Sequence, residues 1–459
     1  MGEPVTSGPD PTAGDAGALL RVPPFPGAQT KAFQPLPSEP SEDAIAALIA
    51  TIRSEAIVGD YWQNEPDAAA IATVDAEAAA PFLRVENPYT GEAMSGLEAV
   101  ALCAFWRDLI RSNRDLAGGL GIAFWKQSAL APLLWDGARP LPFWRSLPAE
   151  LPAGAVAVWG SKARAEDLAA LERRAIPVVE VEDGFLRSAG LGADCIPPLS
   201  ITVDRRGPYF DHRQPSELEA MLETHEIDPA LLDRAARLRA AIVAAGLGKY
   251  ERGRVPLPRW GGERRHLLVT GQVEDDRSVL TGGLGLTNLE LLERVRADHP
   301  AAFILYKSHP DVEAGHRKGA IPAARMRDLA DRIVTDLPIA SLLDLADEVH
   351  VNTSLAGFEA LLRQTPVTTY GVPFYAGWGL TRDLGPVPSR RKRRRTIDEL
   401  VALALLVYPR YLDPVTGLPC PAEVVVDRLC TDSAPATGLL VGLRRMQGRL
   451  VKGWRRLVA

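Results

Sequence analysis

From residue 155 to about residue 370 the chain alternates short apolar runs with amphipathic stretches at helical spacing. The runs are AVAVWG, IPVVEVEDG and PLSITVD, and later HLLVTGQ, AAFILYKSHP, EVHVN and PVTTYG. Patterns such as AEDLAALERRA and TNLELLERVRADHP separate them and predict helices. Strands that alternate with helices indicate parallel sheets covered by helices. We therefore expect an α/β fold of two successive units, with ligands at the carboxyl ends of the strands.

The chain has 459 residues, which is too many for one ordinary core, so we expect several domains. Residues 1–40 are rich in Pro, Gly and Ser and are predicted to be disordered. Residues 41–260 are predicted to hold a helical extension, with helices starting near 41 and 96, and a first Rossmann-like domain. Residues 261–385 are predicted to form a second one. Residues 386–459 are predicted to form a basic loop and C-terminal helices.

Composition excludes several classes of protein. The formal net charge of -6 does not favour binding to nucleic acid. No segment reaches about 18 apolar residues, so no membrane-spanning helix is expected. The N-terminus lacks the pattern of a signal peptide, and we predict a cytoplasmic location. No HxH or HExxH occurs, and no metal site is expected. The scattered cysteines predict free thiols rather than a disulfide scaffold: Cys103, Cys195, Cys420 and Cys430.

Two basic stretches lie near the C-terminus. The block RRKRRR, residues 390–395, is either a solvated loop or a contact for anionic lipid or glycan. The segment 438–459 interleaves cations with Leu, Val and Trp454, which is typical of an interfacial amphipathic helix. That segment either docks on a membrane surface or packs on the protein itself.

The sequence EDG at residues 182–184 follows an apolar run, where a strand should end. A carboxylate in that place can act as nucleophile or general base, and two adjacent acids raise the pKa of one of them. We therefore consider Asp183 and Glu182 catalytic candidates. Arg187 could pair with an anionic group of a substrate. The alternative is an ordinary acidic turn.

Three more strand ends carry polar residues that suit a nucleotide. Thr353 and Ser354 begin a helix, where hydroxyls and free amides bind anions. His309, beside Lys307, can donate to a phosphate. Glu359 could reach ribose hydroxyls. Helix capping and a structural histidine are the alternatives. The candidate donor-binding residues are Gly271, Gln272, Asp276, Lys307, His309, Pro310, Thr353, Ser354 and Glu359.

Several long motifs resemble one family. VWGSKA, VEDGFLRSAGLGAD, PLSITVDRRGPYFD, VTGQVEDDRS, YKSHPDVEAGHRKG, NTSLAGFEALL and TTYGVPFYAGWGLT are similar to the capsular polysaccharide β-Kdo transferases of Gram-negative bacteria. (Kdo is 3-deoxy-D-manno-oct-2-ulosonic acid.) The resemblance covers about residues 120–427, with a weaker match at GIAFWKQ. The acid-acid-Gly and His-Pro motifs are more distantly similar to those of bacterial sialyltransferases.

The resemblance implies a GT-B-like fold of two Rossmann-type domains facing a cleft. It implies a retaining glycosyltransferase of capsular polysaccharide biosynthesis, with CMP-β-Kdo as donor and no separate cofactor. Its partners would be a phospholipid or glycolipid acceptor such as lysophosphatidylglycerol, the inner-membrane surface and the capsule export machinery. Asp183 matches the catalytic acid, while His309 and Ser354 match residues at the CMP phosphate. Each motif occurs once, and Ser308 replaces an expected proline.

The expected mechanism is a double displacement in which Asp183 attacks the anomeric carbon and Arg187 pairs with the Kdo carboxylate. Glu182 is either the acid/base partner or points away, because adjacent strand residues face opposite sides. Two other functions stay open. One is another CMP- or CDP-dependent transferase, such as a CDP-alditol phosphotransferase. The other is a non-catalytic subunit of glycan export.

Overall fold

The structure is a computed structural model that describes residues 19–29, 32–64, 68–188, 196–249, 252–315 and 317–431. The chain forms two compact units. The first contains the residues up to 116 together with 131–141 and 416–419, and the second contains the rest. The predicted boundaries at 260/261 and 385/386 both fall inside the second unit.

The first unit is mainly helical. Both predicted helices are confirmed: Ser41 caps the first, and Ser95 and Glu98 form a capping box at the second. A short antiparallel pair of strands precedes the second helix. The elements are α1 (Glu42–Glu55), α2 (Ala68–Ala72), α3 (Ala76–Ala79), a 3₁₀ turn (Ala80–Phe82), β1 (Arg84–Glu86), β2 (Ala93–Ser95) and α4 (Gly96–Arg111).

The described residues before 41 are ordered, which corrects the prediction of disorder for that part of residues 1–40. Phe25 packs edge-on against Trp135 with ring centroids 5.3 Å apart, and Pro35 forms a β-bridge with Val85. The few apolar side chains between the prolines bury enough surface to hold the segment. These buried residues are Leu20, Val22, Phe25 and Phe33.

The second unit contains a six-stranded sheet in which every neighbouring pair is parallel. Its strands are β8 (His266–Thr270), β9 (Phe303–Lys307), β10 (Arg332–Val334), β11 (Glu348–Val351), β12 (Val367–Thr369) and β13 (Arg382–Asp383). Their order in space is β10-β9-β8-β11-β12-β13. The order reverses between β8 and β11, and in such sheets this switch point is where nucleotides bind.

The same unit contains, apart from the boundary residues Leu116 and Pro419, a seven-stranded sheet ordered β15-β14-β7-β6-β5-β3-β4. Its strands are β3 (Leu116–Leu120), β4 (Phe143–Trp144), β5 (Ala155–Val158), β6 (Val178–Asp183), β7 (Ser200–Asp204), β14 (Pro409–Leu412) and β15 (Pro419–Cys420). It is mixed, not parallel as predicted, because β6 and β7 pair antiparallel. Residues 184–188 and 196–199, the described part of the connection from β6 to β7, contain no helix.

The helices predicted from AEDLAALERRA and TNLELLERVRADHP are confirmed at Ala165–Arg173 and Asn288–Asp298. No helix among the described residues is long and apolar enough to span a membrane. The predicted helix at 438–459 lies outside the described residues. The helices are α5 (Phe124–Leu133), α6 (Ala165–Arg173), α7 (Glu217–Thr224), α8 (Pro229–Ala245), α9 (Arg277–Gly282), α10 (Asn288–Asp298), α11 (Pro310–Glu313), α12 (Ala323–Leu329), α13 (Ile339–Leu345), α14 (Leu355–Leu362), α15 (Ile397–Val401), a π-helical turn (Ala402–Val407) and α16 (Ala422–Cys430).

Helices cover the six-stranded sheet and form a continuous apolar core with it. Leu291, Leu292 and Val295 on α10 pack with Leu267 and Val269 on β8. The amphipathic spacing in the sequence predicts this packing. The predicted α/β, GT-B-like fold class with extra N-terminal helices is confirmed.

Candidate active site

Asp183 is the last residue of β6, and its carboxylate lies between two cations. The Nζ atom of Lys126, in the first turn of α5, is 3.0 Å from Oδ1, and the Nε atom of Arg187 is 2.9 Å from Oδ2. Burial raises the pKa of Asp183, but the positive charges of Lys126, Arg187 and Lys249 outweigh it and hold that pKa below its ordinary value. The carboxylate is therefore ionised at neutral pH, as a nucleophile must be.

Gly184 allows the chain to turn directly after Asp183. Its N–H donates to the Ser200 carbonyl at 2.9 Å. A Cβ at position 184 would lie 2.2 Å from Ser200 Oγ and 3.1 Å from the Ser200 carbonyl carbon. The Ser200 hydroxyl in turn donates to the Leu186 carbonyl at 2.5 Å. Only glycine permits this close approach of the turn to β7.

Arg187 is fixed by its surroundings. The residue is 1% exposed, and besides contacting Asp183 it donates from Nη1 to Ser188 Oγ at 2.7 Å and from Nη2 to the Ile196 carbonyl at 3.0 Å. Each of its three nitrogens thus has an oxygen partner within the protein. These contacts orient the Asp183 carboxylate.

Glu182 contacts a different cation from those that hold Asp183. Successive side chains of a strand face opposite sides, and Glu182 lies with Glu180 on the other face of β6. Arg277, the first residue of α9, is 3.1 Å from Glu182 and 3.3 Å from Glu180. Burial raises the pKa of Glu182 to about 8, although Arg277 opposes this shift. The three side chains link β6 to the helix that follows β8.

Aromatic side chains also connect the Asp183 turn to the six-stranded sheet. Phe185 stacks on Phe374 with ring centroids 4.7 Å apart and lies 5.9 Å from the ring of Phe358 on α14. Tyr209 packs edge-on against Phe185 at 4.9 Å. The turn that carries Asp183 is therefore anchored on apolar surface from both sheets.

Gln272 and Thr353 meet at the switch point of the six-stranded sheet. The Thr353 N–H donates to Gln272 Oε1 at 2.8 Å, and Gln272 Nε2 donates to Thr353 Oγ1 at 3.1 Å. Asn288 exchanges two hydrogen bonds with the Gln272 backbone, at 2.7 and 2.9 Å. The N–H of Gly271 donates to the Lys307 carbonyl at 2.8 Å. The loops after β8 and β11 are thereby joined where a nucleotide is expected.

His309 and Ser354 each cap a helix. His309 Nδ1 accepts the Asp311 N–H at 3.2 Å, and Pro310 is the first residue of α11. Because Nδ1 is an acceptor, the proton of the neutral ring is on Nε2, which has no hydrogen-bond partner in the described part of the chain. Burial lowers the pKa of His309, with Asp311 opposing. Ser354 Oγ accepts the Ala356 N–H at 3.2 Å at the start of α14.

Three other predicted donor-binding residues make internal contacts. Lys307 donates to the carbonyls of Thr335 and Leu337, at 3.2 and 2.8 Å. Asp276 accepts the Ser278 N–H at 3.0 Å as the N-cap of α9. Glu359 accepts the Lys249 N–H at 2.7 Å. Roles in substrate binding stay predictions for all the candidate residues.

The structure adds residues that sequence reasoning missed. Lys249, in the connection between α8 and β8, is close enough for its charge to lower the pKa of both Asp183 and His309, so it joins the two sets of candidates electrostatically. No sequence motif indicated it. Lys126 lies in the weakly matched GIAFWKQ, and Arg277 lies inside VTGQVEDDRS without having been singled out.

The structure corrects the solvated-loop interpretation of the basic block 390–395 only in part: Lys392 and Arg394 are exposed, whereas Arg391 and Arg395 are buried. Contact of the block with anionic lipid or glycan stays a prediction. Arg391 lies 2.8 Å from Glu219 and donates to the carbonyls of Pro373 and Ala376. The buried Arg395 donates to backbone carbonyls at the end of α7. The block stabilises the join between α7 and the segment after β13, which a composition-based interpretation does not detect.

Two acids of the sequence EDDR, residues 274–277, are carboxylates of the kind that bind cations, and both contact groups of the protein. Asp275 pairs with Arg317 at 3.2 Å, and Asp276 caps α9. Among the described residues, no group of three or more His, Cys, Asp and Glu side chains is placed to hold a metal ion.

Comparison with known proteins identifies the family. A sequence model of the family described as capsule polysaccharide biosynthesis protein matches residues 154–411, more than half of the chain. The chain belongs to this family. The predicted resemblance to capsular polysaccharide β-Kdo transferases is thereby confirmed.

Individual relatives agree with this assignment. The chain is 38% identical over 357 residues to the capsule polysaccharide modification protein LipA of Neisseria meningitidis serogroup A, an alignment that covers 76% of this chain and 50% of LipA. The chain thus spans about half the length of the curated relatives that it matches first.

Two solved structures from Thermosulfurimonas dismutans are similar over most of their length. KpsC, beta Kdo 2,4 transferase, is 34% identical with a TM-score of 0.59, covering 68% of this chain and 98% of that chain. KpsC, beta Kdo 2,7 transferase, is 32% identical with a TM-score of 0.54, covering 69% and 98%.

Proposed function

We propose that this chain is a retaining glycosyltransferase that moves Kdo from CMP-β-Kdo to a glycolipid acceptor in capsular polysaccharide biosynthesis. The observation that carries the proposal is the partly buried, ionised Asp183 at the end of β6, held by Lys126 and Arg187. Similarity to both KpsC structures supports Kdo as the transferred sugar.

The first half-reaction is a displacement at the anomeric carbon. An oxygen of Asp183 forms a bond to that carbon as the bond to the CMP phosphate breaks, and the leaving electron pair stays on CMP. Arg187 keeps the carboxylate aligned for the attack. This step gives a glycosyl ester of Asp183 with inverted configuration.

The donor phosphate would lie at the carboxyl ends of β9 and β11. His309 offers its Nε2–H there, while Ser354 and the first amides of α14 offer further donors. Lys249 adds positive charge near the same region. These groups stabilise the charge that CMP gains as it leaves, so we expect transfer without an added metal ion.

The second half-reaction restores the enzyme. An acceptor hydroxyl attacks the anomeric carbon from the side that CMP has left, its proton passes to water as the new bond forms, and Asp183 departs as a carboxylate. Two inversions give overall retention. Glu182 contacts Arg277 on the other face of β6, so we assign it to the link between β6 and α9 rather than to acid/base chemistry.

The acceptor follows from the family rather than from a described contact. We propose a lysophosphatidylglycerol or its Kdo-bearing derivative at the inner-membrane surface. Identities to the 2,4 and the 2,7 transferase structures are 34% and 32%, so neither linkage is favoured. One copy of each motif in this chain corresponds to one transfer site.

The test is transfer from CMP-Kdo to synthetic lysophosphatidylglycerol bearing zero, one or two Kdo units, with products identified by NMR. We expect a β-Kdo product on one of these acceptors and a Kdo adduct on Asp183 in the intact-protein mass. Product formation by Asp183→Ala at the wild-type rate would refute the nucleophile. Transfer of an alditol phosphate, or binding of glycan without CMP release, would refute the function.

A further inference from the structure

The two cations at Asp183 differ in what else holds them. Arg187 has an oxygen partner for each of its three nitrogens. Lys126 has one hydrogen-bond acceptor among the described residues, Asp183 Oδ1, although an ammonium group has three N–H donors. Arg187 is therefore fixed in place, whereas Lys126 has donors left for a second anion.

The surroundings of Lys126 keep its ammonium close to Asp183 without binding it tightly. Its side chain is 8% exposed, and Nζ lies 3.4 Å from the ring centroid of Trp159 and 5.1 Å from that of Trp125. Indole faces attract a cation and do not fix its direction, as a carboxylate does. The ammonium can therefore turn between neighbouring anions while it stays over the Trp159 ring.

The proposed substrate brings a second anion to this place. In a 2-ulosonic acid the carboxylate is attached directly to the anomeric carbon, so bonding to Asp183 brings two carboxyl groups to within roughly 3 Å of each other. Two carboxylates that close repel each other strongly when buried. A cation must lie between them for the attack to occur.

Charge is redistributed during the attack. When the Asp183 oxygen bonds to the anomeric carbon and CMP leaves with the electron pair, one negative charge passes from Asp183 to the CMP phosphate. The Asp183 ester is neutral, and the Kdo carboxylate becomes the anion beside Lys126. A cation that lost its partner and gained none would be left buried and unpaired, at a high cost in free energy.

We propose that Lys126 is the residue that binds the anomeric carboxylate of the donor, moving from Asp183 Oδ1 to that carboxylate as the glycosyl ester forms. The inference depends on the proposed function. It also assigns Oδ1 as the attacking oxygen, because its cation is the one that can leave. Burial lowers the pKa of Lys126 to about 8, with Asp183 opposing, so the ammonium is charged at neutral pH.

The test uses the 2,3-unsaturated, flattened analogue of Kdo as a free acid and as its methyl ester. Binding of each to the whole protein is measured by calorimetry with CMP present, so no turnover is needed. We expect wild type to prefer the acid by about 10- to 100-fold, the strength of a charged hydrogen bond. In Lys126→Gln the acid should bind as weakly as the ester, and Lys126→Arg should keep part of the preference.

Controls separate this role from a merely structural one. Lys392→Gln removes an exposed lysine of the basic block and should keep the wild-type preference. Unchanged CMP affinity and melting temperature show that Lys126→Gln is folded. If Lys126→Gln keeps the wild-type preference, or loses acid and ester binding equally, the proposal is wrong. It is also wrong if the preference disappears in Lys249→Gln but not in Lys126→Gln.

The outcomes also separate the proposal from the proposed function. If wild type releases CMP from CMP-Kdo and Lys126→Gln retains the preference for the acid, the transferase function stands and the role of Lys126 at the donor carboxylate is wrong. Wild type that binds neither analogue and releases no CMP refutes both.

Discussion

The end of β6 and the ends of β9 and β11 differ in where their negative charge comes from. At β6 the anion is part of the protein: Asp183 is ionised and already paired with Lys126 and Arg187. At β9 and β11 the protein offers donors, the Nε2–H of His309 and the capping region at Ser354. The first region already pairs its anion with cations of the protein, whereas the second offers donors to the phosphate that we propose binds there. Mutations in the two should therefore affect chemistry and binding differently.

The strongest test of this difference is Asp183→Asn, which removes the built-in anion and keeps the shape. We expect transfer to fall about 10³- to 10⁴-fold, as for loss of a nucleophile. CMP affinity should not fall, because the substitution removes a negative charge near the phosphate and no hydrogen-bond donor to it. Initial rates and calorimetry measure the two effects. A rate within tenfold of wild type, in a variant that melts cooperatively, would remove Asp183 from the mechanism.

A second test concerns an ion pair that stabilises the fold and has no part in the reaction. Arg391 is paired with the buried Glu219 and has no proposed part in the reaction. Arg391→Met should destabilise the fold by about 1–3 kcal/mol, because it leaves the carbonyls of Pro373 and Ala376 without their donor, while Arg390 still pairs with Glu219. Urea unfolding measures this loss, and kcat per folded molecule should not change.

The matched control for Arg391 is Arg393→Met in the same basic block. Arg393 pairs with the exposed Glu226, and exposed pairs contribute little. We expect no measurable change in the unfolding midpoint. Equal losses of stability in Arg391→Met and Arg393→Met would mean that burial of the arginine does not determine how much it stabilises the fold.

A third test concerns the ends of β9 and β11, where we propose that the donor phosphate binds. His309→Ala should weaken CMP binding about 10- to 100-fold, since a hydrogen bond to a charged phosphate is lost. Cytidine, which has no phosphate, should bind wild type and variant alike. Calorimetry with both ligands distinguishes the two cases. Equal losses for CMP and cytidine would show that His309 supports the fold of the loop and not the phosphate.

The smallest effect expected is in the pH profile. With a pKa of about 8, Lys126 loses its charge as pH rises through 8, so kcat/KM should fall about tenfold per pH unit above that value. Asp183, Arg187 and Glu182 are the charged groups that act on Lys126. In Lys126→Arg this fall of kcat/KM at high pH should move beyond the measurable range, because a guanidinium stays charged there.

Glu182 also has a pKa of about 8 and needs its own control. If the fall of kcat/KM above pH 8 is caused by Lys126, the same fall persists in Glu182→Gln. The ammonium of Lys126 also affects stability, and there the effect of raising the pH is favourable, whereas the effect on the rate is unfavourable. Between pH 8 and about 10.4 the unfolded chain holds a proton on Lys126 that the folded protein does not, so this group makes the fold more stable as pH rises.

The sequence alone predicted several of the helices, seven of the strands and the strand-end positions of Asp183, His309 and Ser354. Apolar periodicity and capping residues are local properties that the chain shows before it folds. The six-stranded sheet has the parallel arrangement that such alternation indicates. For the seven-stranded sheet the same pattern led to an error, because a strand pattern carries no information on its direction relative to its neighbour.

Only the tertiary structure determined which charges meet. Lys126 and Asp183 are 57 residues apart, and Arg277 and Glu182 are 95 apart. The basic block resembled a free surface until its contacts with Glu219 and the end of α7 were known. Pairing between charges is set by distance and burial, which depend on how the sheets and loops pack together. The sequence identified the carboxylate, and the fold determined which cations hold it.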